Sequence, residues 1–366
     1  MNELEKAREI INEVDTKLAE LFERRMNASA MVAEYKKAHG LQILDAKREE
    51  EVIRRGAERV SNTEIREYYV NFLRDVMEIS KKYQHRLLEG MRVAYSGTEG
   101  AYAHIATLKL FPSAEKVACP DFKSAYEAVE TGECDVAVLP VENSYNGEVG
   151  QVTDLMFSGS LYVNGTLDLA VSHDLLGVKG STKQTVKEVV SHPQALGQCA
   201  EFIRTGGYMT HEYTNTALAA RYVAEKGDVT LAAIASEDAA KLFGLEVLER
   251  NINASRNNTT RFAVLSRSEK QSDGDDMDTC SILFFTVKNE AGCLAKAIDV
   301  IGGHGFNMRT LRSRPMKELL WQYYFYIEVE GNAHSVNGNK MMEELGKYCD
   351  RLKLVGTFRK KQEVTR

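Results

Sequence analysis

Arg8, Arg25, Lys36, Arg48 and Gln84 lie within the first ninety residues, a stretch with no proline that reads as three helices. Cations spread over different helices, with Asp45, Glu49 and Ser80 among them, suit a small polyanion in a closed pocket, where a bidentate guanidinium grips each carboxylate. The ligand expected is a compact dicarboxylate. A single helix over residues 2 to 38 places Arg25 and Lys36 eleven positions apart, three turns and about 16 Å along one face, so their long side chains converge on a ligand held between them. Arg8 precedes Arg25 by seventeen positions, roughly 26 Å along the axis, and joins the same site only if a second copy of the chain supplies it. On the second helix Asp45, Arg48 and Glu49 share a face, and on the third Ser80 and Gln84 do. Any one of these alone is an ordinary surface residue of a helical bundle; jointly they describe a site.

Beyond Gly90 the helical period gives way to strands. MRVAYS reads as a strand, and GTEGAYAHIATLKLF turns through two glycines into a helix whose first N–H groups face the loop. The alternation continues through CDVAVLPVENSYNGEVG, VKEVVSHPQALGQCAEFI, VTLAAIASEDAAKLFG and NNTTRFAVLSR. This order predicts α/β architecture with a mainly parallel sheet and ligand sites at the carboxyl ends of strands. Four polar clusters, Ser96 to Gly100, Glu142 to Gly147, Ser191 to Gln198 and Asn258 to Arg261, are expected to fall there. Residues 269 to 278, SEKQSDGDDM, are polar and acidic, as a linker should be. The remainder reads strand, helix, strand, strand, helix, strand, a ferredoxin-like α+β plan.

Composition bounds the function. At 366 residues, 43% apolar and 27% charged, the chain holds two or three globular domains. A net charge of −6 argues against nucleic acid, and with no membrane-spanning run and no signal-peptide pattern the expectation is a cytoplasmic protein. Six cysteines without regular spacing predict buried free thiols, and eight histidines without HxxxH or HxH spacing predict no metal. No cofactor is expected.

Three resemblances follow from these residues. The runs LEKAREIINEVDTKLAELFERR, EYKK, ILDAKREEEV and EISKKYQ resemble the all-helical class of chorismate mutase, which builds two sites from an intertwined dimer. That resemblance implies that Arg8 of a partner chain and Arg25 grip two carboxylates. Lys36 and Gln84 then face the ether oxygen, Arg48 and Ser80 support the carboxylate end, and Asp45 and Glu49 hold the ring hydroxyl. The rearrangement of chorismate to prephenate needs no acid, base or nucleophile, only a compact reactant and a cation beside the oxygen that gains charge.

Residues 91 to 268 resemble prephenate dehydratase in their strand-loop opening, LPVENSYNG, SHPQALGQC and TTRF. The resemblance implies two α/β lobes, periplasmic-binding-protein-like, closing over a cleft, with the chain crossing back near the end. It gives Thr260 the role of hydroxyl donor to the leaving hydroxyl, Asn143, Ser191 and Gln198 the binding of prephenate, and Arg261 electrostatic support. His104, His173 and His192 read as structural.

Residues 279 to 366 resemble the ACT domain, a module that binds amino acids between paired domains. The implied phenylalanine site is two loops, Asn289 to Leu294 (with Gly292 and Cys293) and Leu311 to Pro315 (with Arg312, Ser313 and Arg314). Arg312 stands where that family has Glu, and Cys293 where it has Ala.

The expected protein has a mutase domain (1–90), a dehydratase domain (91–268), a linker (269–278) and a regulatory domain (279–366). It converts chorismate to prephenate and then to phenylpyruvate, is inhibited by L-phenylalanine, and forms a homodimer or larger homo-oligomer. The alternatives are a mutase whose C-terminal portion only binds an anion or regulates, and a solute-receptor-like central domain.

Overall fold

The computed structural model describes residues 2–254, 258–270, 278–316 and 321–359. They divide into two compact units, Met1–Met91 and Arg92–Arg366. The first unit consists of α1 (Glu3–Ala38), α2 (Ala46–Arg59) and α3 (Arg66–Glu89). Nothing in the 36 residues of α1 breaks a helix, and both ends are specified. Asn2 accepts from the Glu5 N–H while the Glu5 carboxylate accepts from the Asn2 N–H, a reciprocal cap. Lys36 and Lys37 occupy the last turn, where cations meet the carbonyl end of the dipole. Only Ser29 and Ala33 of α1 are buried, so most of its apolar side chains face outward.

The second unit contains two α/β lobes and a ferredoxin-like layer. The first lobe comprises β1 (Arg92–Ser96), α4 (Tyr102–Leu110), β2 (Glu115–Cys119), α5 (Phe122–Glu130), β3 (Val136–Asn143), β4 (Gly147–Glu148), α6 (Gly150–Ser158) and β5 (Tyr162–Ala170). The second comprises β6 (Asp174–Gly177), β7 (Glu188–Ser191), α7 (Pro193–Gln198), α8 (Ala200–Gly206), β8 (Met209–Glu212), α9 (Thr216–Lys226), β9 (Leu231–Ala235), α10 (Glu237–Phe243) and β10 (Glu246–Glu249). The chain then returns: β11 (Thr259–Ser266) enters the first sheet between β3 and β5.

The sheets are mixed rather than mainly parallel, which corrects the expectation. Strands β1, β2 and β3 are parallel, as are β7, β8 and β9, because helical crossovers join them. β11 arrives from the other lobe, enters from the opposite end and runs antiparallel to both neighbours. Asn258 to Arg261 therefore lie at the start of a strand, not beyond its carboxyl end. Antiparallel entry still brings them beside the carboxyl end of β3.

The third sheet is built from β12 (Thr279–Thr286), β13 (Asn307–Pro315), β14 (Tyr323–Glu330) and β15 (Arg351–Arg359), in the order β13-β14-β12-β15, with α11 (Cys293–Gly303) and α12 (Val336–Gly346). Both faces of its inner strand β12 are covered, which explains why SILFFT is a continuous apolar run. Leu283 and Phe285 pack with Ile301, Met341 and Leu345 on the helix side. Ile282, Phe284, Tyr324 and Val355 share a core with Tyr126, Met156, Phe157 and Val163 of the first lobe. Gly356 permits that approach: a Cβ there would lie 2.0 Å from the Val163 carbonyl oxygen. In the expected linker, Glu269 accepts from His334 and from the Thr357 N–H, and residues 271–277 lie outside the described residues. All six thiols are free, four of them buried. Among the described residues no helix is long and apolar enough to cross a membrane.

Candidate active sites

In the helical unit, α1 and α3 bring Arg25, Ser29, Ser80 and Gln84 together. Arg25 donates to the Ser80 hydroxyl and, at 3.3 Å, to the Val76 carbonyl, and burial lowers its pKa. Gln84 Nε2 donates to Ser29 Oγ at 3.1 Å, while its buried Oε1 has no protein partner. A buried amide satisfied at one end only is poised for a ligand group at the other. Ser29 escaped the sequence reading, although it lies one turn from Arg25 and seven positions before Lys36 on one face.

Lys36, at the end of α1, donates to the Ile43 carbonyl and so folds the α1–α2 connection over this face. Asp45, Arg48 and Glu49 do not act as one helical face. Asp45 is the N-cap of α2 and accepts from the Arg48 N–H at 3.0 Å; the Arg48 guanidinium pairs outward with Glu51 at 2.7 Å. Glu49 turns inward to Lys81 at 3.2 Å, and Lys81 has its pKa raised by hydrogen bonds to Glu78 and Glu49 against the effect of burial. Lys81 was also missed in the sequence. Arg8 is exposed near the far end of the unbroken α1, about 26 Å by helical rise from Arg25.

In the second unit, β3 and β11 align Asn143 with Thr260. Asn143 Oδ1 accepts from the N–H groups of Tyr145 and Asn146 at 3.0 and 2.9 Å, which fixes the orientation of its amide. Its Nδ2 is thereby aimed at Thr260 Oγ1 at 2.9 Å and at Asn258 Oδ1 at 2.8 Å. Because Thr260 Oγ1 accepts, its own proton is left to donate outward.

From there a polar chain crosses to the other lobe. Asn258 Nδ2 donates to Gln198 Oε1 at 3.1 Å, and the same oxygen meets His173 Nε2 at 2.9 Å. An amide oxygen only accepts, so Nε2 carries the His173 proton and the buried Nδ1 is left without a partner. Burial lowers the His173 pKa, partly offset by the Gln198 hydrogen bond. The ring stands edge-on to Tyr102, 6.2 Å between centroids, and Tyr102 donates to the Ser172 carbonyl. Nearby, Asn215 at the cap of α9 donates to Thr98 Oγ1 at 3.4 Å. Asn258 and His173 join the cluster only through the return of β11 and the entry into β6.

Two expected members stand elsewhere. Ser191 is fully buried and donates to the Ile234 carbonyl at 2.6 Å, tying β7 to β9; His192 caps α7 and Gln198 ends it. Arg261 does not face the Thr260 cluster. Its guanidinium is clasped by Asp168 at 2.8 and 3.0 Å and reaches Glu328 of β14 at 3.4 Å, and its pKa is raised by that hydrogen bonding. Neighbouring residues of a strand point to opposite faces, which is the reason for the correction.

The expected effector segments also differ from the reading. Leu311 to Pro315 are not a loop but the end of edge strand β13. Arg312 and Arg314 turn toward the first lobe, Arg312 to Glu142 and Arg314 to Asp154 at 3.0 and 3.2 Å. Leu311, Ser313 and Pro315 alternate onto the exposed face. Gly292, at φ 84°, opens α11, followed by Cys293 and Leu294; Asn289 donates to the Trp321 carbonyl at 3.4 Å. Asp154 also accepts from the Tyr324 hydroxyl, whose pKa is pushed up by burial and by this bond.

Comparison with known proteins connects the two units to two chemistries. The family described as chorismate mutase type II matches residues 7–85, and the prephenate dehydratase family matches residues 93–270. A bifunctional chorismate mutase/prephenate dehydratase of Enterobacter agglomerans is 33% identical over 373 residues, covering 98% of this chain and 96% of its own. Among solved structures, one described as a novel type of quorum-quenching acylase is 30% identical with a TM-score of 0.68, covering 74% of this chain and 98% of its own. The prephenate dehydratase of Arthrobacter aurescens in complex with L-Phe shares the fold at 23% identity and a TM-score of 0.68, covering 75% of this chain and 92% of its own. With a helical unit that matches the one family, an α/β unit that matches the other and a relative alike over nearly its whole length, the chain belongs to the bifunctional chorismate mutase/prephenate dehydratase family and catalyses both steps.

Proposed function

We propose that residues 1–90 rearrange chorismate, that residues 91–268 dehydrate and decarboxylate prephenate, and that residues 279–366 form an ACT-type sensor of L-phenylalanine. In the mutase site Arg25 grips a carboxylate, Lys36 and Gln84 face the breaking C–O bond, Arg48 and Ser80 support the carboxylate end, and Asp45 and Glu49 hold the ring hydroxyl. A cation at the ether oxygen acts most strongly when that oxygen becomes charged. Arg8 comes from a second copy. Supporting this, Leu4, Ala7, Ile11, Val14, Leu18 and Leu21 form an exposed stripe with heptad spacing that leads to Arg25. Antiparallel pairing centred between Val14 and Asp15 sets Arg8 of one copy across from Leu21 of the other, one turn from Arg25.

In the dehydratase site Thr260 donates its proton toward the departing hydroxyl, Asn143 holds Thr260, and Gln198 orients substrate through the chain to His173. Ser191 supports that wall by fastening β7 to β9, and Arg261 braces β11 from behind. The observation that carries this reading is the Asn143–Thr260 pair, in which the Thr260 hydroxyl accepts and so keeps its own proton to donate.

Phenylalanine binds by the turn at Asn289, Gly292, Cys293 and Leu294 and the exposed face of β13 with Leu311, Ser313 and Pro315. The unpaired edge of β13 is suited to a second copy. The L-Phe complex of the Arthrobacter relative supports the identity of the effector. The test follows chorismate to phenylpyruvate in the intact chain, with and without phenylalanine. Prephenate accumulating to completion would reject the dehydratase assignment, and rates indifferent to millimolar phenylalanine would leave residues 279–366 as an assembly domain.

A further inference from the structure

We infer that the ferredoxin-like sheet is itself a positioning element of the dehydration site, acting through Arg312 on the rung of the β3–β11 ladder next to the one that carries Asn143 and Thr260. The inference rests on the assignment of dehydration to Thr260 and deepens it.

The register is the starting point. Thr260 pairs with Asn143 and Arg261 with Glu142, two successive rungs of one antiparallel ladder. Successive rungs present their side chains to opposite faces. The Asn143–Thr260 rung faces the second lobe and joins the chain to Gln198 and His173. The Glu142–Arg261 rung looks the other way, onto β13 and β14. There Arg312 grips Glu142 and lies 5.7 Å from the ring centroid of Tyr326. Arg261 spans Asp168 and Glu328, and Arg309 holds the far side of Glu328 at 3.2 Å. Charges thus alternate from Arg312 through Glu142, Arg261 and Glu328 to Arg309, and Glu142 also acts electrostatically on Arg261.

Burial gives this row its weight. The Glu328 side chain is only 4% exposed, and those of Arg261, Arg312 and Glu142 are 21%, 22% and 31% exposed. Removing one partner from a desolvated pair leaves the other charge uncompensated, so the backbone that carries it shifts toward water or another partner. Glu142 is covalently joined to Asn143, and Asn143 alone aims the Thr260 hydroxyl among the described residues. A displacement of about 1 Å at a reacting group costs up to a hundredfold in rate. Arg312 is therefore a positioning residue for Thr260, supplied by a different sheet.

The experiment measures prephenate dehydration and chorismate rearrangement in the intact chain for Arg312→Met, Arg312→Lys, Glu142→Gln and the Arg312→Met/Glu142→Gln double variant, with Thr260→Val as reference. Expected are a roughly tenfold lower dehydratase kcat for Arg312→Met with KM for prephenate within about twofold, and substantial recovery in Arg312→Lys. The double variant should be no slower than the slower single one, because residues in direct contact couple. Mutase kcat should stay unchanged throughout. A parental kcat in Arg312→Met, or losses that multiply in the double variant, overturns the inference while a slow Thr260→Val leaves the site assignment standing. A parental rate in Thr260→Val overturns the site assignment itself. If Arg312→Met fails to fold, Glu142→Gln and Arg312→Lys decide by the same kcat and KM comparison, from the other side of the pair and by the retained charge.

Discussion

The two catalytic units solve opposite electrostatic problems with opposite architectures. In the helical unit the groups that matter are full charges on long side chains, and much of the apolar surface of α1 stays exposed beside them. In the dehydratase unit the proposed site is a neutral hydrogen-bonded chain, Thr260, Asn143, Asn258, Gln198 and His173, while the full charges lie on the other face of the ladder. Rearrangement needs a cation where negative charge grows, which Arg25 and Lys36 supply in the proposed site. Dehydration needs a donor placed against a leaving hydroxyl, so the cleft uses neutral hydrogen bonds whose directions are fixed by neighbours. The comparison teaches that the first site depends on which charges converge, and the second on how firmly one hydroxyl is aimed.

The strongest test of the contrast is Lys36→Ala. Losing the cation beside the ether oxygen should reduce mutase kcat by about a hundredfold or more, with prephenate dehydration unchanged. Equal loss of both activities in a folded variant would erase the distinction between the units.

Thr260→Val is the mirror experiment. It keeps the shape and removes the donor, so dehydratase kcat should fall by about a hundredfold with little change in KM, the pattern of an interaction made in the transition state. Mutase rates measured on the same sample should match the parent.

A subtler effect follows from the length of α1. Arg8→Ala and Arg25→Ala chains, each inactive as a mutase, should regain activity when mixed and refolded, because a hybrid dimer has one site with both arginines intact. Statistical mixing of two-fold dimers predicts recovery to about a quarter of the parent rate. Verified heterodimers without activity would place Arg8 outside the site.

The smallest effect concerns pH. Burial holds the folded His173 pKa below its ordinary 6.5, so the unfolded chain binds this proton more readily. The stabilisation is then fully present above pH 6.5 and is lost as pH falls through the lowered folded value. Dehydratase activity and the unfolding midpoint of the second unit should decline together below pH 6.5, and His173→Gln should flatten that acid limb. An identical limb in the variant would assign it to another group.

Much was legible in the chain itself. α1, the α/β alternation and the ferredoxin-like order follow from period, capping and turn residues, which act between near neighbours. Helical spacing puts Arg25 and Lys36 on one face of α1 and Ser80 and Gln84 on one face of α3, and the resemblance to the helical mutases joins the two faces. The reading failed where a side chain's direction depended on a distant strand. The resemblance implied Arg261 as electrostatic support beside Thr260, and the pleat separates the two. Arg312 and Arg314 were expected around an effector, and the packing of β13 on the first lobe turns them to Glu142 and Asp154. The resemblance implied a loop at Leu311 to Pro315, although the run FNMRTLRSRP reads as a strand; as an edge strand, β13 tolerates the proline at its end.

The sequence by itself determined the chemical inventory and the local elements: cations on three helices, the polar runs VENSYNG, SHPQ and TTRF, and a third domain of strand and helix. Only the tertiary structure decided which face each of those groups serves. The return of β11 from the second lobe sets the Asn143–Thr260 register, brings Asn258 to Gln198, and sends the next rung to the third sheet. Pairings between residues 60 to 117 positions apart carry no local signal, because they are selected by the burial of whole sheets and by the pleat that then assigns each residue its side.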